Sequence, residues 1–381
     1  MKSDDWRIHN PQGPNRVLVT KELPGRRWLE ILTRADCRVE ICTSAEILSA
    51  DQIKAAMGKR CHAVIGQLTE SWLADLFLAL KGAGGRVYSN YAVGYNNVEV
   101  AAATRCGLPV GNTPGVLTRT TAELAVALTL AAARRLGEAE RFMRAGLYRS
   151  WLPTLFLGQL LHGKTLGVIG AGRIGAAYAR MMVEGFKMNL VYFSPHANRE
   201  LEAYVAAYAD FLQSRGEPVV TCRRAPSVEA LLETADCVSL HTVLDAATHH
   251  LIDARSLGLM KQDAVLVNTS RGPVIDEAAL VAHCRANPDF RAGLDVYEQE
   301  PAMHPGLESL ENVVLVPHIA SATRWTREGM ATLAAANVAG VLMGWPAWQQ
   351  PDTGPFLQDP MPKAAPSIVN AAELDYPLFQ V

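Results

Sequence analysis

Three residues, Arg271, Glu300 and His318, each close a short apolar run: Arg271 after AVLVNTS, Glu300 just beyond FRAGLDVYEQ, and His318 after NVVLVP. Runs of this kind read as strands, and a doubly wound sheet gathers its ligands beyond the carboxyl ends of its strands. Reduction of a 2-keto acid needs a cation for the carboxylate, an acid to protonate the carbonyl oxygen, and a group that keeps that acid protonated. Arg271, His318 and Glu300 can fill those roles in that order. A guanidinium meets a carboxylate through two parallel hydrogen bonds, which an ammonium cannot do. An imidazole titrates near neutral pH, and a carboxylate beside it favours the protonated ring and fixes its orientation. Each residue taken singly also has a structural reading: a histidine ending a strand, or an Arg271–Glu300 ion pair.

The context that favours chemistry lies upstream. KTLGVIGAGRIG places Gly170, Gly172 and Gly175 between an apolar strand and the helical run AAYARMMV. In a dinucleotide-binding turn the first glycine permits the tight bend, the second lets a pyrophosphate approach the backbone, and the third lets helix and strand pack closely. Unpaired N–H groups at the helix start would then hold the phosphates. The next strand ends in MNLVYFSPHANR, with Ser194 where an NAD-specific site usually carries an acidic residue and Arg199 a few residues on. The expected cofactor is a nicotinamide dinucleotide, NADH with NADPH left open.

These residues need a scaffold. From Arg16 the runs RVLVT, CRVEICT, HAVIGQL, RVYSNY and LPVGNT alternate with helical stretches, and a second alternation runs from TLGVIG to NVVLVPH. Such alternation predicts βαβ units and parallel sheets, and 381 residues suffice for two domains. The reading is an α/β protein of two Rossmann-like doubly wound domains. The outer, substrate-binding one is discontinuous (residues 1–119 plus 325–381); the dinucleotide-binding one spans 120–324. A long helix capped by Thr120 or Thr121 begins the latter, and a helix from Trp325 to about Met343 returns to the former. The tail from Pro346 to Val381 reads as loop.

Composition narrows the function. Against 38 acidic side chains stand 36 basic ones, with no long basic run, so neither nucleic acid nor an acidic membrane is an expected partner. The most apolar stretch, Leu124 to Ala133, is too short to cross a bilayer and reads as a buried helix. Seven scattered cysteines without a CxxC pair read as small buried hydrophobes of a reducing compartment. The histidines outside the trio, His249 and His250 among them, read as surface or helix-end residues without ligand spacing, and no metal is expected.

GAGRIG, NTSRGPVIDEAAL, GLDVYEQEP and PHIASAT resemble the successive motifs of the D-isomer-specific 2-hydroxyacid dehydrogenases. Within that family, NYAVGYNNV, VGNTPGVLTRTTAELAVAL and WTREGMATLAAANV are similar to the plant-type, photorespiratory hydroxypyruvate reductases. The resemblance implies NAD(P)H-dependent reduction of hydroxypyruvate to D-glycerate and of glyoxylate to glycolate. It assigns substrate binding to Arg271, proton donation to His318 and the partner of that donor to Glu300. Asp295 would hold the nicotinamide carboxamide, Arg173 and Ile174 would lie on the pyrophosphate, and the backbone of Val93 and Gly94 would grip the substrate carboxylate from the other side of an interdomain cleft. A homodimer is implied, joined by the arm around Tyr148 to Leu161. Plant members commonly end in a peroxisomal tripeptide; with Phe379, Gln380 and Val381 in its place, a mitochondrial or cytoplasmic location is expected. The alternatives on this fold are another D-2-hydroxyacid dehydrogenase, or a nicotinamide-sensing corepressor or scaffold.

Overall fold

A computed structural model describes residues 5–348 and 350–379; of the terminal tripeptide, Gln380 and Val381 lie outside the described residues. The chain forms two compact units, one made of the residues up to Leu117 together with those from Ala322 onward, the other of Thr118–Ser321. Each has its own sheet.

In the first unit, β1 (Trp6–His9), β2 (Asn15–Val19), β3 (Cys37–Cys42), β4 (Ala63–Gly66), β5 (Val87–Asn90) and β6 (Val110–Gly111) lie in the order β1-β3-β2-β4-β5-β6. From β3 to β6 every pairing is parallel, whereas β1 runs antiparallel along β3. This edge strand departs from the all-parallel expectation: WRIH is short and mostly exposed, so it carries no apolar run to announce it. Both faces of the central strands are covered, which is why AVIG of β4 is buried at every position. The helices are α1 (Arg27–Arg34), α2 (Ala50–Met57), α3 (Ala74–Gly82) and α4 (Val100–Arg105). A long helix, Arg324–Leu342, packs against α1 and β5. Its alanines and glycines allow close approach: a Cβ on Gly340 would sit 2.9 Å from the Ala365 backbone. The tail is more than loop. Ile368 bridges Gly111 in antiparallel fashion, and the Asn370 side chain accepts from Val110 N–H (2.8 Å) and donates to Leu108 C=O (3.0 Å).

The second unit contains β7 (Thr165–Ile169), β8 (Asn189–Phe193), β9 (Cys222–Arg224), β10 (Cys237–Leu240), β11 (Val265–Asn268), β12 (Arg291–Leu294) and β13 (Val313–Leu315). All are parallel, in the order β13-β12-β11-β10-β7-β8-β9. The order reverses between β10 and β7, the switch point at which open α/β sheets bind their ligands. Its helices are α5 (Thr118–Ala133), α6 (Leu136–Arg144), α7 (Arg173–Phe186), α8 (Arg199–Ser214), α9 (Val228–Leu232), α10 (Ala254–Leu259) and α11 (Glu277–Ala286). Because α5 starts at Thr118, Thr120 and Thr121 are not its caps; both are buried within its first turn. The helix lies on β11, β12 and α7 through small side chains such as Ala122, Ala125 and Ala132. Five of the seven cysteines are buried, while Cys106 and Cys222 are partly exposed. No helix among the described residues is long and apolar enough to cross a membrane.

Candidate active site and dinucleotide loop

The three glycines after β7 do three different things. Gly170 has φ +95°, and a Cβ there would lie 2.6 Å from the His241 carbonyl oxygen, so the turn presses on the residue that follows β10. At Gly175 a Cβ would meet the Gly170 oxygen at 2.1 Å, locking the start of α7 onto the turn. Around Gly172, by contrast, no atom would lie within 4 Å of a Cβ. Gly172 is also the residue before α7, and no side chain caps the helix there. Arg173 and Ile174 supply its first two residues. An uncapped helix start beside open space, with a bare glycine at its mouth, fits the pyrophosphate of a dinucleotide.

Ser194 directly follows β8. Its carbonyl accepts from Arg224 Nε (3.2 Å) and Nη2 (2.9 Å), and the Pro195 carbonyl accepts from the same Nη2 at 2.7 Å. Arg199, the cation expected there, is instead paired with Glu202 at 2.9 Å in the first turn of α8. Arg224 arrives from β9, a three-residue strand that no apolar run announces.

The expected trio lies within one unit. Arg271 follows the turn after β11, which Asn268 closes: its Nδ2 donates to the Arg271 carbonyl (2.9 Å), and its Oδ1 accepts from Ser270 N–H (3.0 Å) and Oγ–H (2.7 Å). The next residue must be glycine, since a Cβ on Gly272 would fall 1.9 Å from the Tyr297 carbonyl carbon and oxygen. That contact brings the chain carrying Glu300 against the chain carrying Arg271. Glu300 Oε2 lies 2.7 Å from His318 Nδ1, and its Oε1 accepts from Tyr297 N–H at 3.1 Å. His318 has φ +52°, a left-handed conformation that a non-glycine residue adopts only when its surroundings impose it. Asp295 imposes it. Its carboxylate accepts from Ile319 N–H (2.6 Å) and Ala320 N–H (3.0 Å), while its carbonyl accepts from His318 N–H (2.9 Å). The Asp295 side chain, which the resemblance assigns to a carboxamide, is thus wholly buried and engaged through both oxygens.

The electrostatics follow from this packing. Burial pushes the Glu300 carboxyl up, but the hydrogen bond and charge of His318, the Tyr297 N–H and the charge of Arg271 together hold it below the ordinary carboxylate range. Burial lowers the Arg271 pKa and Glu300 opposes the shift. For Asp295 burial dominates and raises the pKa, against the two N–H donors and the charge of His318. With Nδ1 given to Glu300, His318 Nε2 is the ring nitrogen that can serve a ligand.

Val93 and Gly94 belong to the first unit, in the loop after β5. Their carbonyls are tied back, Val93 to Asn112 Nδ2 (2.8 Å) and Gly94 to Asn90 Nδ2 (3.0 Å). The loop is thus tied back through both carbonyls. Of the remaining histidines, His250 is half-buried and its Nε2 lies 2.6 Å from Glu298 Oε1. Sequence reasoning also passes over Arg224, Gly272 and Glu277. Gly272 alone leaves a trace, as the glycine of SRGP.

Comparison with known proteins agrees with this geometry. The family described as D-isomer specific 2-hydroxyacid dehydrogenase, NAD binding domain, matches residues 126–320. The glycerate dehydrogenase of Cucumis sativus is 60% identical over 371 residues, covering 96% of this chain and 97% of its own. The peroxisomal glycerate dehydrogenase of Arabidopsis thaliana is 58% identical over 378 residues, covering 98% of each. Among solved structures, an NADPH-dependent glyoxylate/hydroxypyruvate reductase from Sinorhizobium meliloti, in complex with NADP and malonate, superposes with a TM-score of 0.67 at 30% identity, over 85% of this chain and 92% of that one. With the glycine loop, the Arg271–Glu300–His318 constellation and full-length relatives in agreement, the chain belongs to the D-isomer-specific 2-hydroxyacid dehydrogenases.

Proposed function

We propose that this NAD-dependent oxidoreductase reduces hydroxypyruvate to D-glycerate, and glyoxylate to glycolate. The observation that carries the reading is the 2.7 Å pairing of Glu300 with His318 Nδ1, in the field of Arg271. When bound, the nicotinamide supplies the hydride. The residues of the chain supply the rest. Arg271 binds the substrate carboxylate and polarises the adjoining carbonyl. His318 delivers a proton from Nε2 to the carbonyl oxygen as negative charge develops there. Glu300, kept ionised by its neighbours, stabilises the protonated ring and holds its plane. Asp295 acts through the turn that presents His318. Arg173 and Ile174 open the helix that would receive the pyrophosphate, and Ser194 would border the adenosine ribose.

The test is replacement of His318 by Ala. Turnover with hydroxypyruvate is expected to fall on the order of 100- to 10,000-fold, while the dissociation constant for NADH, read by fluorescence titration, stays put. An unchanged turnover would remove His318 from the mechanism.

We further propose that the protein is a homodimer joined through the arm that follows α6. Trp151 is 76% exposed and Leu160 73%, and Leu147, Leu152 and Leu157 also face outward. So many large apolar side chains on one short segment mark a surface that a partner covers, and a self-complementary patch needs only a second copy. Sedimentation equilibrium is expected to give twice the chain mass.

A further inference from the structure

Glu277 opens α11 but does not cap it. The cap is Asp276, whose Oδ1 accepts from Ala279 N–H at 3.0 Å. Nor does Glu277 face water, being only 2% exposed. A carboxylate in such a place is costly unless its oxygens are engaged, and the partners here are telling. Oε1 accepts from the backbone N–H of Glu298 (2.9 Å), and Oε2 accepts from the backbone N–H of His304 (3.1 Å). Those two amides stand on either side of Glu300. Glu298 completes the clasp: its Oε2 accepts from Glu277 N–H (3.2 Å), and its Oε1 is held by His250 Nε2 (2.6 Å).

The clasp ties the segment carrying Glu300 to the start of α11, and α11 follows Arg271 and Gly272 by a single turn. The contact of Gly272 with Tyr297 fixes the same segment from its other end. Both anchors hold the segment that carries the Glu300 carboxylate, and Glu277 grips its backbone on both sides of Glu300. Burial raises the Glu277 carboxyl, the amides of Glu298 and His304 oppose this, and the Glu298 charge adds to it. The titratable groups facing the Glu300–His318 pair are Arg271 and Asp295; those facing Glu277 are Glu298 and His304.

We propose that Glu277 is a positioning residue for the proton-donating pair: by gripping the backbone on both sides of Glu300 it sets the reach of that carboxylate to His318. The inference rests on the reading of Glu300 and His318 as that pair, and its test separates the two.

The full-length variants Glu277→Gln and Glu300→Gln are compared for the pH profile of kcat/KM with hydroxypyruvate at saturating NADH, and for the NADH dissociation constant. The amide of Glu277→Gln can satisfy one of the two backbone donors and opposes the other. Loss of one such bond is expected to lower kcat/KM about tenfold. Because a carboxylate held farther away favours the protonated ring less, the alkaline limb moves to lower pH, in the same direction as in Glu300→Gln but less far. NADH affinity stays within about twofold, since the glycine loop is untouched. If Glu300→Gln moves the limb and Glu277→Gln alters only the thermal midpoint, Glu277 positions nothing and the proposal is overturned. If Glu300→Gln leaves the limb in place, the reading of the pair fails and the proposal falls with it. Should Glu277→Gln not fold, Glu298→Gln, which weakens the clasp from its other half, must show the same direction of shift; an unmoved limb there overturns the proposal as well.

Discussion

Both units are doubly wound sheets, and in each the first of the parallel strands stands at the switch point: β2 in the first, β7 in the second. What separates them is the connection to the next helix. Seven residues, 20–26, lie between β2 and α1, whereas three, 170–172, lie between β7 and α7. The long connection has one left-handed glycine, Gly25, where a Cβ would meet the Glu328 side chain at 2.8 Å. The short one has Gly170 pressed on the end of β10 and Gly172 facing open space. Sheet order alone would offer two dinucleotide sites; the length of the turn, and what each glycine is for, leave one.

Exchanging glycines for alanine should produce the largest effects and sharpen this contrast. Gly175→Ala must place a methyl 2.1 Å from the Gly170 oxygen, so both thermal stability and NADH binding should collapse. Gly172→Ala finds no atom within 4 Å, so its melting temperature should change little while NADH affinity falls about tenfold or more, because the methyl occupies the approach of the pyrophosphate. Gly25→Ala should cost stability through its φ of +78° yet leave NADH affinity alone. Equal loss of NADH binding in Gly25→Ala and Gly172→Ala, measured by fluorescence titration, would erase the distinction between the two turns.

A second contrast is between carboxylates. Burial dominates at Glu70 in the first unit and raises its pKa, against hydrogen bonds from Thr20, Gln67 and Trp72 and the charge of Lys21; one of its oxygens is buried without a partner. Glu300 in the second unit is shifted down. The signs differ in consequence. A lowered carboxyl stabilises the fold above its unfolded pKa, and that contribution is lost as pH falls through the folded value. A raised one favours the fold when protonated, and that contribution is lost as pH rises through the folded value. At pH 7, Glu300→Gln is expected to cost about 2 kcal/mol in urea denaturation, a cost that shrinks as pH falls below the carboxylate range. Glu70→Gln should be neutral or stabilise by about 1 kcal/mol at pH 7, with the gain vanishing in acid. Parallel pH profiles for the two variants would contradict the opposite shifts.

The sequence carries the second unit's turn in plain view because its constraints are local. Tight bend, close approach and helix packing each fall on one glycine of a six-residue run, and Arg271, Glu300 and His318 all follow strands with strong apolar patterns. Features built by long-range contact leave no such mark. The strand β9 is three residues, Cys-Arg-Arg, part exposed, so neither alternation nor an apolar run marks it, and the cation it delivers to Ser194 goes unseen. The partners of Glu277 are backbone amides more than twenty positions away, and amides have no sequence. The start of α5 at Thr118 rather than near Thr121 is a smaller case: several threonines in TRTT can begin a helix, and burial of the later two decides.

The second strands offer the finest comparison. In the first unit, β3 is covered on its outer edge by the antiparallel β1, and Thr43 beyond it is bonded to the Asp5 carbonyl through both N–H (2.9 Å) and hydroxyl (3.1 Å). In the second, β8 is flanked by β9, and Arg224 lies across the carbonyls of Ser194 and Pro195 where the ribose of a dinucleotide would rest. Placing a carboxylate there should engage Arg224 and repel a 2′-phosphate while accepting the ribose hydroxyls. Ser194→Asp is therefore expected to weaken NADPH relative to NADH by about fivefold, an effect kept modest because Arg224 is exposed and solvent screens the new charge. The competing ligand adenosine 2′,5′-bisphosphate, titrated against both variants without any turnover, should follow NADPH. An unchanged ratio would mean that the end of β8 does not discriminate between the two cofactors.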